Sequence, residues 1–576
     1  MVAFFSAKRL SFNLVVASCT LMLAACGSPG DGSSAPTTAA TPPATTPPPG
    51  NAATSEEASR FLSQATFGAA DAEINRVTTT GFSVWISEEF AKPHESLLED
   101  VLIAEAAGED VGPNQLSETF WTRAIQSDDQ LRQRVGYALS QILVASFTDS
   151  GLVERPIAMA NYMDIMSAGA FGNFRQTLEN VTYSPAMAIY LTYLQNQKAS
   201  ADGEVVPDEN YAREVMQLFT IGLLELQPNG DLRLDGSGDP IETYDNDDVT
   251  ELAKVFTGLS WNGESNFFTR RPSDISSEYL PLVMFDSEHS TDAKNFLNAS
   301  IPPNTPGDAS IDMALDALFN HQNTPPFISR QLIQRLVTSN PSSAYVGRVA
   351  TAFRTGSYTM PNGTVAGGGG RGDMRAVVAA ILLDDEARNA ANMSDPNFGK
   401  VREPVLRFTH WARAFGVTET DIDEVDALGD TRAPNRLNQQ AYRSPSVFNF
   451  YRPGFVSPGS VSASMGLVAP ELQITTASSV TGYANFIEDF IFGNVPDNDF
   501  LPNYGPELAL ANDPAALVDR LDRILTYGSL RPATRARITQ AVQSITGGAG
   551  GLTRDELRVR AAILFFMTSS DYTVSR

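Results

Sequence analysis

Apolar residues recur along this chain at three- and four-residue intervals, the spacing that lines one face of an α-helix. From Leu131 to Val144 the pattern falls on Val135, Ala138, Leu139, Ile142 and Leu143. It returns at Tyr211, Val215, Leu218 and Phe219 behind Pro207-Asp208, which predicts a helix over 209–224. Val249, Leu252, Ala253 and Phe256 repeat it, with Asp248 and Glu251 at capping-box spacing and Gly258 as a stop. Thr324-Pro325 opens another helix through Ile328, Leu332 and Leu336, closed by Asn340-Pro341. Asp373 to Ala387 and Glu403 to Phe415 complete the strongest set. Period-two alternation is scarce. Leu226 to Leu234 gives the best strand signal, with Asn229-Gly230 suited to a hairpin turn. The predicted fold class is mainly α: a large multi-helix globular unit with long irregular loops, near 260–310 and 420–470, and at most a small β-hairpin.

The start of the chain departs from this pattern. Lys8 and Arg9 precede a short apolar run, Leu21 to Ala25, that ends at Cys26. A basic stretch, an apolar stretch and small residues before a lone cysteine make a bacterial lipoprotein signal, too short for a comfortable spanning helix. Residues 1–25 read as the signal peptide and Cys26 as the lipidated new amino terminus. Residues 26–54 read as a tether rich in Pro, Thr and Ala. At ~3.1 Å per residue such a segment reaches on the order of 70 Å. Two acyl chains suit stable attachment, where one would be marginal. Residue 27 is Gly, not the aspartate that retains lipoproteins at the inner membrane in enterobacteria. The location read from this is the outer membrane or cell surface, with a periplasm-facing body as the alternative. Residues 55–576 then form a single large helical domain.

Charge removes some partners. The net charge is −26, with 67 acidic against 41 basic residues. Such a chain is a poor partner for nucleic acid, and anionic lipid head groups should repel it, so the membrane link falls to the lipid anchor alone. Only two cysteines occur, and Cys19 leaves with the signal. The mature chain then has no thiol for a disulfide, a zinc site, a haem or a nucleophile. Its stability must come from a hydrophobic core, which 42% apolar residues can supply. No Gly-x-Ser-x-Gly, P-loop or dinucleotide fingerprint occurs, so no cofactor is implied.

Several segments carry a resemblance. They are Arg60-Phe-Leu-Ser-Gln-Ala-Thr-Phe-Gly68, Leu131-Arg-Gln-Arg-Val135, Ala170-Phe-Gly-Asn-Phe-Arg175 and Glu209-Asn-Tyr-Ala-Arg-Glu214. Asp247-Asp-Val249 running to Thr257-Gly258, His321-Gln-Asn-Thr-Pro-Pro-Phe327 and Gly372-Asp-Met-Arg375 continue the series. Arg402-Glu-Pro404 and Ser444-Pro-Ser-Val-Phe-Asn-Phe-Tyr451 complete it. In this order they resemble the large bacterial family catalogued as domain of unknown function 1800, over nearly everything after the tether. The resemblance implies an exported or lipid-anchored protein, often encoded beside a second exported family similar to alkaline phosphatases and sulfatases. It implies no reaction. His289-Ser290 stands where the family usually has a His-Asp pair.

Candidate chemistry is sparse. On the 209–224 helix, Asn210, Arg213, Glu214 and Gln217 share one polar face. An Arg beside a Glu would hold a sulfate or carboxylate while the Glu acts as base, yet a buried ion-pair network pinning helices is the simpler reading. The four histidines are His94, His289, His321 and His410. His289 and His321 with Asp286, Glu288 or Asp292 would make a two-histidine metal site. His321, Asn323 and Thr324 read more simply as a helix-start loop, and no metal is assigned. Tyr451 and Arg452 sit in Phe448-Asn-Phe-Tyr-Arg-Pro-Gly454, either a sugar-stacking platform or a loop packed on the core. Arg371-Gly-Asp373 reads as a helix start, and Asp235-Gly-Ser-Gly-Asp239 as a turn lacking the twelfth-position Glu of a calcium loop.

Two functions follow as expectations. One is a lipid-anchored helical scaffold that binds or assembles a secreted partner or an extracellular polymer. The other is a hydrolase or lyase on such a polymer, sulfated or phosphorylated, using Glu214, Arg213 and His321. Convergence of Arg213, Glu214, His321, Arg402 and Glu403 on one open cleft would favour the enzyme; separate pairings would favour the scaffold.

Overall fold

A computed structural model describes residues 53–109, 111–417, 426–495 and 500–576. The signal segment, Cys26 and the tether up to residue 52 lie outside the described residues, as does 418–425 within the loop predicted at 420–470. Eight helices recur below: α1 (Ser55–Ala65), α2 (Gln130–Ser140), α3 (Asn210–Gln217), α4 (Asn246–Ala253), α5 (Thr324–Leu336), α6 (Met374–Leu383), α7 (Pro404–Ala414) and α8 (Ala477–Phe492).

Strands among the described residues form four two-stranded antiparallel ladders. The protein is mainly α, with several tiny ladders where at most one hairpin was expected. Two of them, Leu259–Ser260 with Val283–Met284 and Lys294–Phe296 with Ala299–Ile301, occupy the long stretch near 260–310. The turn at Asn229-Gly230 forms, Gly230 taking φ +81° and donating its N–H to the Gln227 carbonyl. A third leg joins it: Glu225 N donates to Ile241 O and Ile241 N to Arg233 O, making a small three-legged arm.

Helix centres fall where the apolar spacing puts them, but ends are set by local chemistry. α3 stops at Gln217 instead of continuing to 224. The amides of Ile221 and Gly222 both turn back to the Met216 carbonyl, and Gly222 has φ +73° with the Phe327 ring against it. The cap of α4 lies three residues before the predicted one. Asp245 and Asp248 form the capping box, and Glu251 instead accepts from the Asn295 amide at 3.0 Å. The 373–387 helix breaks at Asp384, which caps the next short turn and receives both arms of Arg348 at 2.7 and 2.8 Å. α2 ends at Ser140, four residues before Val144.

α2 lies between two hydrophobic clusters. Leu131 and Val135 belong to the smaller one with Phe61, Leu62, Trp85 and Leu382; Tyr137, Ala138 and Leu139 belong to the larger. Every residue of α2 except Gln133 is buried, so Arg134 is carried into the interior. It has company. All but six of the 41 basic residues are arginines, and several are buried against carbonyls at helix ends. Arg134 Nη2 donates to Arg335 O in the last turn of α5, Arg335 Nη2 to Gln141 O just past α2, and Arg413 Nη1 to Ile125 O in the last turn of its helix. Those carbonyls have no amide partner in their own helix and sit at the negative end of its dipole. Backbone carbonyls thus satisfy part of each of these guanidinium groups, while Arg134 Nε and Nη1 and Arg335 Nε have no hydrogen-bond partner.

Candidate functional site

Polar groups are densest around Glu403, the N-cap residue of α7. Its side chain turns inward instead of capping and is fully buried. Oε2 accepts hydrogen bonds from Gln439 Nε2 at 2.6 Å, Tyr451 Oη at 2.7 Å, Gln141 Nε2 at 2.8 Å and Tyr137 Oη at 3.1 Å. Burial works against this carboxylate's charge. The nearby Lys400 and Arg134 cations, with the bonds from Tyr451 and Gln439, outweigh burial and hold it below the usual glutamate range. Burial and the Glu403 charge push the Tyr137 and Tyr451 phenols well up, so both stay protonated as donors. Lys400 also pairs with the buried Glu471 at 3.2 Å, and its Nζ donates to Arg335 O at 2.8 Å. Segments 131–135, 402–404 and 444–451 of the resemblance meet at this hub.

The remaining candidate residues stand elsewhere. Arg402 directly precedes Glu403 in the chain but faces away from the hub: its Nη1 lies 3.1 Å from His410 Nδ1 and its guanidinium stacks 4.2 Å from the Tyr572 ring. Burial and then the Arg402 charge push His410 well down, so it is neutral. On α3, Arg213 is exposed and pairs with Glu209 at 3.1 Å, while Asn210 Nδ2 donates to Thr192 at 3.3 Å. Gln217 is half-buried at the end of the same helix. Glu214 is 8% exposed and differs from all of these. Its Oε2 is buried with no hydrogen-bond partner, and burial raises its pKa against the opposing pull of Arg213. Tyr190 and Tyr244, each pushed up to about 12 chiefly by burial, feel its charge.

His321 and Asn323 form a helix-start loop. Asn323 N donates to His321 Nδ1 at 3.2 Å, and Asn323 bridges to the arm through Ile221 O, Leu224 O and Leu226 N, all at 2.9 Å. His289 is buried elsewhere, its Nδ1 2.8 Å from Thr257 O and its Nε2 3.3 Å from Ser310 Oγ. Among the described residues no group of three His, Cys, Asp or Glu side chains gathers at metal-binding distance. Tyr451 is part of the hub, whereas Arg452 is exposed with its guanidinium 4.7 Å from the Phe448 ring. Asp373 caps α6, and Asp235 holds its own turn by accepting from the Ser237 and Asp239 amides.

Sequence reasoning missed most of the hub. Arg134 was visible only as part of a matched segment, and Gln141, Gln439, Lys400 and Glu471 carry no local signal. It also missed a contact between His94 Nε2 and Ser167 Oγ, at 2.6 Å, beside a recess lined by Phe120, Arg123, Gln133, Tyr137 and Asp164. This pair is not a relay. Asp164 sits 3.9 Å from the same Nε2 that faces the serine, and its oxygens take Ser96 Oγ and the Leu97 and Leu98 amides.

Fold and site together define a large helical protein with a buried ion cage at Glu403 and, apart from it, a buried Glu214 whose Oε2 has no hydrogen-bond partner. The chain belongs to the family described as protein of unknown function (DUF1800), whose model matches residues 60–574. No curated protein and no solved structure matches it.

Proposed function

We propose that the protein is a lipid-anchored cell-envelope protein that acts by binding, as a helical scaffold or assembly factor for a secreted partner or an extracellular polymer. The observation that supports this is the scatter of the five side chains an enzyme would use. Arg213 is engaged with Glu209, His321 with Asn323, Arg402 with His410 and Tyr572, and Glu403 with four donors inside the hub. Among the described residues no nucleophile stands beside a base that has its own orienting partner. Anchoring at Cys26 on the outer membrane or cell surface and a partner among exported phosphatase- or sulfatase-like proteins belong to the same reading.

One observation favours the second reading, a hydrolase or lyase on a sulfated or phosphorylated polymer. Glu214 is a buried, unpaired carboxylate with a raised pKa, the state of a general base or acid. Turnover decides between them. The purified mature protein should release neither sulfate nor phosphate from sulfated and phosphorylated glycans above the buffer rate. Release that disappears in Glu214→Gln would establish the enzyme.

A further inference from the structure

The surface of this acidic protein has one long stretch without charge. From Pro453 to Ile487 only Glu471 is charged, in a chain that is 19% charged overall, and Glu471 is buried against Lys400 at 3.2 Å. Within this stretch residues 455–468 form a finger. Ala469 N closes it onto Phe455 O at 2.8 Å, and Asn340 clamps it from outside through both backbone groups of Val468 at 2.9 Å. Gln334 Nε2 reaches Pro453 O at 3.3 Å, and Gln473 Oε1 accepts the Arg452 amide at 2.9 Å. At the tip Val461 is 77% exposed and Met465 48%, and beside the base Val456 is 38% exposed.

Some of the finger's polar groups are bonded within it. Ser460 Oγ donates to Ser457 O at 2.6 Å and accepts the Ala463 amide at 3.1 Å, and Ser464 Oγ donates to Val461 O at 2.7 Å. Seating such a segment in the head-group boundary releases apolar surface while water and head groups stay within reach of its remaining amides. The finger also lies near the start of the described chain. Arg60 of α1 donates to Arg576 O at 2.9 Å and lies 5.6 Å from the Phe398 ring; Ser339 N, beside Asn340, donates to Gly399 O at 3.0 Å. The helix that follows the tether and the base of the finger therefore stand on the same few residues, 398–400.

We infer that the finger rests on a lipid bilayer, its tip aliphatics in the boundary between head groups and acyl chains. The inference rests on the lipid-anchor reading above. A protein-binding surface is enriched in aromatic and arginine anchors; residues 456–468 contain neither. Head groups that repel the rest of the molecule meet no charge here. Three aliphatic side chains partition weakly, and attachment through the tether raises their local concentration at the bilayer, even at a reach on the order of 70 Å. The membrane contact is then the lipid anchor plus this finger, not the anchor alone.

The test uses the mature chain with Cys26→Ser, which leaves Met465→Cys as its single thiol for a polarity-sensitive dye. Vesicles of phosphatidylethanolamine and phosphatidylcholine at rising concentration should shift the dye emission to the blue, and brominated lipid should quench it. The effect should be the same at low and high salt, weaken on the order of tenfold in Val461→Asp, and be absent for a dye at Glu204→Cys. A dye at 465 that keeps its aqueous spectrum at saturating lipid overturns the proposal. A shift produced by envelope proteins but not by lipid overturns it as well. Because this protein has no acyl chain, failure here leaves the anchor reading standing, and an unmodified Cys26 in the native protein would remove the anchor without touching this result.

Discussion

Glu403 and Glu214 are both buried glutamates, and their surroundings oppose each other. Glu403 has four donors on one oxygen and two cations nearby, which favour its charge; Glu214 has no partner on its buried oxygen. The signs of their pH dependence follow. Folding lowers the Glu403 pKa, so its stabilisation is present above about pH 4.3, the ordinary glutamate value, and is lost as pH falls through its depressed folded value. Folding raises the Glu214 pKa, so the native state binds that proton more tightly and stability falls as pH rises from about 4.3 through its folded value. Glu403→Gln should therefore lower unfolding stability at pH 7 by about 3–5 kcal/mol, because it removes the carboxylate charge that faces Arg134, whose Nε and Nη1 have no hydrogen-bond partner, and turns an amide toward amide donors. Glu214→Gln should leave stability at pH 7 unchanged or raise it, with the difference vanishing in acid. Urea unfolding of both variants between pH 4 and 7 (a range set by the glutamate value) checks the pair. Equal losses would mean that the two environments do not differ as described. Neither environment was legible in the sequence, since the donors to Glu403 come from positions 137, 141, 439 and 451 and meet only through the fold.

Among elements, the helices followed their apolar spacing and the ends did not. The centres of α2, α5 and α7 were readable because burial of one face outweighs any single residue's preference. The end of α3 depends on where Gly222 admits a positive φ, and the start of α4 on which of several closely spaced aspartates reaches an amide. Glycine also fixes how elements approach. On α8, a Cβ at Gly482 would stand 2.0 Å from the Pro434 carbonyl oxygen, a backbone atom that cannot rotate away. Gly482→Ala should cost about 1–3 kcal/mol by forcing that loop off the helix. Gly547→Ala, with nothing within 4 Å of the added carbon, is the control and should change stability by less than about 0.5 kcal/mol. Thermal unfolding of the two variants side by side is the check. A silent Gly482→Ala would show that the 434 loop does not pack as found.

The whole molecule combines an acidic exterior with an arginine-bearing interior. Because buried cations such as Arg134, Arg335 and Arg413 are matched to backbone carbonyls, they do little to neutralise the surface. Filter binding at low salt should therefore retain neither single- nor double-stranded DNA; retention that weakens steeply with salt would reveal a basic face. The family membership and the mainly α class were readable from scattered segments, whereas the uncharged finger emerges only when burial shows Glu471 to be internal. That this body is held at the envelope through Cys26 is the proposal on which the rest depends. Mass spectrometry of the amino-terminal peptide from the native protein tests it most directly. The account predicts a peptide beginning at Cys26 with a diacylglyceryl group on its sulfur; an unmodified peptide, or one beginning elsewhere, would contradict it.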